Sequence, residues 1–126
     1  WVIMFPEGTR TVRGGKGDYK TGAARLAIAT DAHIIPIAVS SARCWPRRTF
    51  RFIPGVIDVS IGPPIIPLAD ESAVELMGRV EAWIEAEMRQ IDPEAYPTMA
   101  ASQRGAHGDI TPSDDATSLN DPDHHF

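Results

Sequence analysis

Phe5-Pro6-Glu7-Gly8-Thr9-Arg10 gathers a turn former, a carboxylate, a residue without a Cβ, a hydroxyl and a guanidinium into six consecutive positions. Arg presents a planar fork of donors that fits two phosphate oxygens at once, and Thr9 sets a hydroxyl beside it. Gly8 lets backbone N–H groups come close to a ligand. Glu7 can orient Arg10 or bond the backbone of its own turn. Lys20 adds a second cation after a glycine-rich stretch. The chemistry these residues can do is phosphate binding. A surface turn carrying a solvated Arg, and a solvated loop lysine, are the other readings of the same residues.

Other reactive types give less. Cys44 is the one cysteine, which excludes an internal disulfide and fits a reducing compartment. It reads as a small half-buried residue rather than a nucleophile. His33 sits at a strand edge and reads as structural, while His107, His124 and His125 are too sparsely surrounded to form a metal site. No metal and no cofactor is expected. Gly14-Gly15-Lys16-Gly17 misses the phosphate-loop spacing, since Arg10 stands where the first glycine belongs and Gly17 where a hydroxyl residue belongs. Nucleic acid is not an expected partner, because the basic residues read as lacking interleaved exposed aromatics and the rest of the chain is acidic.

The elements that position the turn follow from the apolar pattern. Residues 2–5 form a continuous apolar run closed by Pro6 and Gly8, which predicts a buried strand delivering Arg10 at its carboxyl end, where open α/β sheets hold ligands. A strand opening at Trp1 suggests a piece of something longer. Residues 9–20 read as a loop, and Thr21 as the cap of a helix running to about Thr30, with Ala24, Leu26, Ala27 and Ile28 on its apolar side. Residues 33–39 predict a second buried strand in which Pro36, lacking an N–H, marks an edge or a bulge. Residues 50–53 and 56–61 predict two more, joined at Pro54-Gly55. Ser72 and Glu75 have capping-box spacing, and Ala73, Met77, Val80, Ile84, Met88 and Ile91 form one apolar stripe to Asp92-Pro93. The order β, α, β, β, β, α is that of an α/β domain over 1–96, incomplete on its N-terminal side. Residues 97–126 turn polar and read as a disordered tail.

Charge divides along the chain. Residues 1–60 hold nine Lys or Arg against four acids, residues 61–96 two against eight, and residues 97–126 one against five. A basic front half suits phosphate-bearing ligands or anionic lipid, with Trp45-Pro46-Arg47-Arg48 in its middle. Ordinary solvated charges that happen to segregate, and a solvated loop around a packed Trp, are the other readings. No apolar run approaches the roughly 20 residues needed to span a bilayer.

Taken together, Phe5 to Arg10, Lys20-Thr21-Gly22 and the Ile-Pro-Ile-Ala-Val run at 35–39 resemble the lysophosphatidic acid acyltransferase (PlsC-type) family in correct order, from about Val2 to Pro67. The resemblance implies part of a glycerolipid acyltransferase-like α/β domain, with a central mixed sheet and flanking helices. It implies transfer of a fatty acyl group from acyl-CoA or acyl carrier protein to 1-acylglycerol-3-phosphate (lysophosphatidate), giving phosphatidate for phospholipid synthesis. Phe5, Pro6, Glu7, Gly8, Thr9 and Arg10 would then shape the acceptor's phosphate pocket, with Lys20 near it and Pro36 positioning substrate beside the acyl chain. The implied setting is a membrane surface, at the cytoplasmic face of the inner membrane. The family's chemistry depends on a His-x4-Asp block, and none occurs in these 126 residues: five positions after the histidines stand Ala38, Pro112 or the chain end. No catalytic residue is therefore expected in this chain, which alone should be inactive. A non-catalytic module binding phosphorylated lipids or other anions is the alternative.

Overall fold

Ser72 explains where the longest helix begins. In a computed structural model that describes residues 1–97, its hydroxyl accepts from the Glu75 N–H, and Glu75 Oε2 accepts from the Ser72 N–H at 2.8 Å. This reciprocal box satisfies two donors that the first turn leaves without partners. It opens α2, Ala73–Ile91, which stops at Asp92 and passes into a short 3₁₀ turn, Pro93–Ala95. The shorter helix α1 is Gly22–Thr30. Thr21 occupies its cap position, but the expected side-chain bond is not made. A capping residue needs an extended backbone, whereas Thr21 lies at φ −80°, ψ 3°.

The two helices bury one small core. Ala24 and Ala27 of α1 meet Leu76, Met77 and Val80 of α2, with Tyr19, Ile34, Ile65 and Ile84 packed around them. Alanines on the α1 face leave room for the larger side chains of α2. Leu26 and Ile28, expected on the buried side of α1, each remain 41% exposed. The stripe expected on α2 holds, and Leu76 joins it.

A two-stranded antiparallel sheet lies against α2. Strand β1, Ile37–Val39, pairs with β2, Val59–Ile61, in the register Ile37 to Ile61 and Val39 to Val59. Ala38 is buried and Ser60 Oγ donates to Glu87 Oε2 of α2 at 2.7 Å, so this face meets the helix. Pro36 interrupts the ladder as expected. Its carbonyl accepts from the Gly62 N–H at 2.9 Å, and pairing resumes only at an Ile34–Ile65 bridge, which sets Pro63 and Pro64 opposite Ile35. That two-against-one count is a bulge. A Cβ on Gly62 would lie 2.5 Å from the Trp83 ring, so the helix can approach only a glycine there.

All four expected strands change. Of residues 33–39, expected as a buried strand, only Ile37–Val39 pair in a ladder, and Ile35, Ile37 and Val39 are 38–48% exposed because only the Ala38 face meets α2. Residues 2–5 form no strand, and the side chains of Val2, Ile3 and Phe5 are 72–85% exposed. An apolar run becomes a strand only beside a ladder partner, and among the described residues this one has none. Residues 50–53 form a loop, closed by the Ile53 N–H bonding the Cys44 carbonyl at 2.8 Å. Pairing in the 56–61 segment is confined to Val59–Ile61, preceded by the Asp58 N–H donating to Ser40 Oγ at 2.9 Å. The described residues are α/β in the order α, β, β, α, with an antiparallel pair where a mixed central sheet was expected. The expected disordered tail lies, Pro97 apart, outside the described residues. No helix among the described residues is long and apolar enough to cross a membrane.

Candidate functional site

Pro6 and Gly8 build the turn that carries Arg10. The Gly8 N–H donates to the Phe5 carbonyl at 3.0 Å, with Pro6 in the second position and Gly8 in the fourth at φ +67°. Proline fixes the backbone for the second position, and glycine accepts the left-handed conformation of the fourth. The Lys20 N–H bonds the Pro6 carbonyl at 2.8 Å, so the turn is tied to the entrance of α1 and the intervening loop leaves and returns at one point.

Glu7 turns inward, toward the loop. A Cβ on Gly17 would lie 2.8 Å from both Glu7 Cγ and Cδ, so the carboxylate stem runs directly over that glycine. Burial raises the Glu7 carboxyl above its ordinary value, and the negative charge of Glu85 adds to this, while the nearby Tyr19 and Thr11 hydroxyls oppose it. Tyr19 donates to Glu85 Oε1 at 3.2 Å, and its phenol is likewise pushed up, chiefly by burial. Neither bond expected of Glu7 is made: among the described residues its carboxylate joins neither Arg10 nor the backbone of its own turn, and its stem packs over Gly17 instead.

Arg10 turns the other way. Its guanidinium carbon sits 4.4 Å from the centroid of Trp45, and it forms no ion pair among the described residues. Trp45 is held in turn by its Nε1–H donating to the Thr49 carbonyl at 3.0 Å and by Phe52, whose ring centroid is 4.9 Å away. Stacking occupies one face of the guanidinium and leaves its edge N–H donors open to an anion. Gly8 and Thr9 are exposed beside it.

The remaining predicted residues join the turn only in part. Lys20 contributes its backbone, while its ammonium pairs with Asp18. Phe5 is 83% exposed. Pro36 is fully buried in the sheet, its ring against Gly62, and makes none of the turn's hydrogen bonds. Among the described residues no group of three His, Cys, Asp or Glu side chains converges as a metal ligand set.

Sequence reasoning missed the strongest ion cluster. Asp92 is 1% exposed and accepts from Arg13 Nε at 2.8 Å, Arg13 Nη2 at 2.6 Å and Arg43 Nη2 at 2.9 Å. Arg13 first, with Arg43 behind it, holds this carboxyl at about 2 against the opposing effect of burial. Nothing in the spacing of residues so far apart joins them; the only signal was an acid ending a helix in a chain with basic loops. The role of Trp45 beneath Arg10 was also missed. One reason for setting nucleic acid aside needs correcting: Trp45, Phe50 and Phe52 are exposed and do interleave with Arg47, Arg48 and Arg51. An apolar residue count cannot show that a loop's aromatics have no core to enter.

Comparison with known proteins bears on the same segment. A family model described as Acyltransferase matches residues 1–40, which contain the turn and α1. The 1-acyl-sn-glycerol-3-phosphate acyltransferase of Pseudomonas aeruginosa is 36% identical over 95 residues, covering 74% of this chain and 37% of that protein. The enzyme of the same name from Escherichia coli is 32% identical over 104 residues, covering 81% of this chain and 42% of that protein. The crystal structure of the 1-acyl-sn-glycerophosphate (LPA) acyltransferase PlsC from Thermotoga maritima superposes with a TM-score of 0.65 at 27% identity, over 70% of this chain and 38% of that one. The chain thus spans well under half the length of these relatives. With relatives of one name at 32–36% identity over 74–81% of its residues, the chain belongs to the lysophosphatidic acid acyltransferase family.

Proposed function

We propose that this chain supplies the acceptor-phosphate site of a glycerolipid acyltransferase that converts 1-acyl-sn-glycerol-3-phosphate to phosphatidate. The observation that carries this is Arg10, held over Trp45 at the end of a Pro-Glu-Gly turn with its donor edge free. A dianionic phosphate accepts the guanidinium fork bidentately, with the Thr9 hydroxyl and the backbone beyond Gly8 in reach. Anchoring the phosphate fixes the glycerol, so that its free hydroxyl meets the carbonyl of an acyl thioester, from acyl-CoA or acyl carrier protein. The hydroxyl oxygen attacks that carbonyl, the thiolate departs, and a general base takes the hydroxyl proton. None of these 126 residues stands in a His-x4-Asp arrangement, so the chain binds and orients but takes no proton.

Equilibrium binding of a soluble, short-chain lysophosphatidate to the 126-residue chain tests the reading. Arg10→Ala should weaken it by roughly 1.5–3 kcal/mol, the value of a hydrogen bond to a charged group. Unchanged affinity overturns the phosphate role. Incubation with acyl-CoA and lysophosphatidate should give no phosphatidate, and turnover overturns the assignment of binding without catalysis. A second reading, a non-catalytic module for phosphorylated lipids, keeps the Arg10 pocket and needs no histidine. It predicts equal affinity for phosphatidate and lysophosphatidate, whereas an acceptor site favours lysophosphatidate. Because the acceptor is a lipid, we infer that the site works at a membrane surface, on the cytoplasmic face of the inner membrane.

A further inference from the structure

The loop 45–53 stands out as a surface that the fold does not use. Phe50 is 99% exposed and Phe52 67%, with Trp45 at 41% on the Arg10 side. Arg47, Arg48 and Arg51 alternate with them and are exposed, and no acid occurs between Asp31 and Asp58. Exposed aromatics on a disordered loop would need no explanation, but this backbone is held. The Ile53 N–H bonds the Cys44 carbonyl, the Arg51 N–H bonds Thr49 Oγ1 at 2.9 Å, and Trp45 bonds the Thr49 carbonyl. Arg48 adopts the left-handed conformation at φ 61°, which turns the chain sharply between the arginines and Phe50.

We propose that loop 45–53 docks this chain onto an anionic phospholipid bilayer, with Phe50 and Phe52 entering the acyl-chain boundary and Arg47, Arg48 and Arg51 meeting the phosphodiesters. Amphipathic rings and long cationic side chains both prefer the headgroup region, where the apolar part is buried and the charge stays wet. The proposal rests on the lysophosphatidate reading above and extends it. Trp45 belongs to both surfaces, with the Arg10 guanidinium carbon 4.4 Å from its centroid and the tilted Phe52 ring at 4.9 Å, so a phosphate arriving at the bilayer surface is one side chain away from Arg10.

Sedimentation of the full 126-residue chain with vesicles tests this. Binding should be strong to equimolar phosphatidylglycerol and phosphatidylcholine, weak to phosphatidylcholine alone, and reduced by high salt. The variant Arg47→Ala/Arg48→Ala/Arg51→Ala should bind the anionic vesicles roughly a hundred-fold more weakly. Phe50→Ser, at a side chain with no packing to lose, should weaken binding by about ten-fold or more. Equal binding to neutral vesicles, or unchanged binding by either variant, overturns the proposal. So does capture of a single-stranded oligonucleotide or an acidic carrier protein by the loop without vesicle binding. The two readings separate cleanly. Loss of docking with Arg10-dependent lysophosphatidate affinity retained supports the loop as a distinct surface. Loop-independent docking with that affinity intact overturns the loop alone. Loop-dependent docking with Arg10-independent affinity supports the loop and overturns the phosphate site alone.

Discussion

Arg10 and Arg13 leave the same loop three residues apart, yet only Arg13 is tied into the interior. Arg13 reaches across the chain to Asp92, which it shares with Arg43, joining the loop and the Ser41–Arg43 turn to the end of α2. Arg10 rests on an exposed Trp and has no carboxylate partner among the described residues. A guanidinium whose Nε–Nη2 edge is taken by a buried carboxylate has lost that fork and its net charge to the pair, while one held by its face keeps both. The difference separates an arginine bound into the fold from an arginine whose charge stays unpaired among the described residues.

The largest effect expected is therefore structural and falls on Asp92. Asp92→Ala leaves two guanidinium groups facing a site that no longer neutralises them. Removing one partner of a fully buried pair costs about 3–5 kcal/mol, and since the Arg13 side chain is 37% exposed the loss here should fall short of that. Urea unfolding followed by circular dichroism reads it directly, and an unchanged midpoint would mean the cluster is not a clamp. Arg13→Ala should shift the midpoint in the same direction by less, because Arg43 still pairs with Asp92.

Acid reaches the same cluster without mutation. Asp92 is held at about 2 where the ordinary value is 3.8, so the unfolded chain binds its proton more readily than the folded one. The ionised carboxylate thus stabilises the fold above about pH 4, and that stability is lost as the pH falls through about 2. The steepness of the acid limb should flatten in Asp92→Asn. Glu7 has the opposite sign. Its raised value means that ionisation costs stability as the pH rises past 4.5, and Glu7→Gln should stabilise the neutral-pH fold slightly.

Arg10→Ala should give the mirror image of Asp92→Ala. Lysophosphatidate affinity should fall by roughly 1.5–3 kcal/mol, with unfolding moved by no more than about 1 kcal/mol, the most that an exposed cation–π contact is worth. A stability loss without an affinity loss would place Arg10 with Arg13 and dissolve the comparison.

The turn was legible from sequence because it is made of neighbours: Pro6, Gly8 and Arg10 act within six residues, and the Ser72–Glu75 box within four. Helices showed their periodicity for the same reason. What escaped were features that need a distant partner. Residues 2–5 have the composition of a buried strand, but composition supplies no neighbouring backbone. Residues 50–53 alternate like a strand and fold as a loop because Cys44 takes the Ile53 N–H. Asp92 read as a helix stop, and only the fold shows two arginines converging on it from loops that sequence had marked merely as basic.

The smallest effect, and the sharpest test of the comparison, belongs to Trp45. If Arg10 depends on the ring beneath it, Trp45→Ala should weaken lysophosphatidate binding roughly two- to five-fold, the worth of an exposed cation–π contact of about 0.5–1 kcal/mol. Trp45→Phe keeps a ring face but loses the Nε1 donor to the Thr49 carbonyl, so it should restore most of the affinity if stacking matters. If it restores none, the hydrogen bond that holds the loop matters more than the ring. The size of the Arg10→Ala loss in the Trp45→Ala background completes the cycle. Simple addition of the two losses would mean that Arg10 finds the phosphate without the ring. A smaller combined loss would mean that Trp45 positions Arg10 as Asp92 positions Arg13, but by its face, which leaves the donors free.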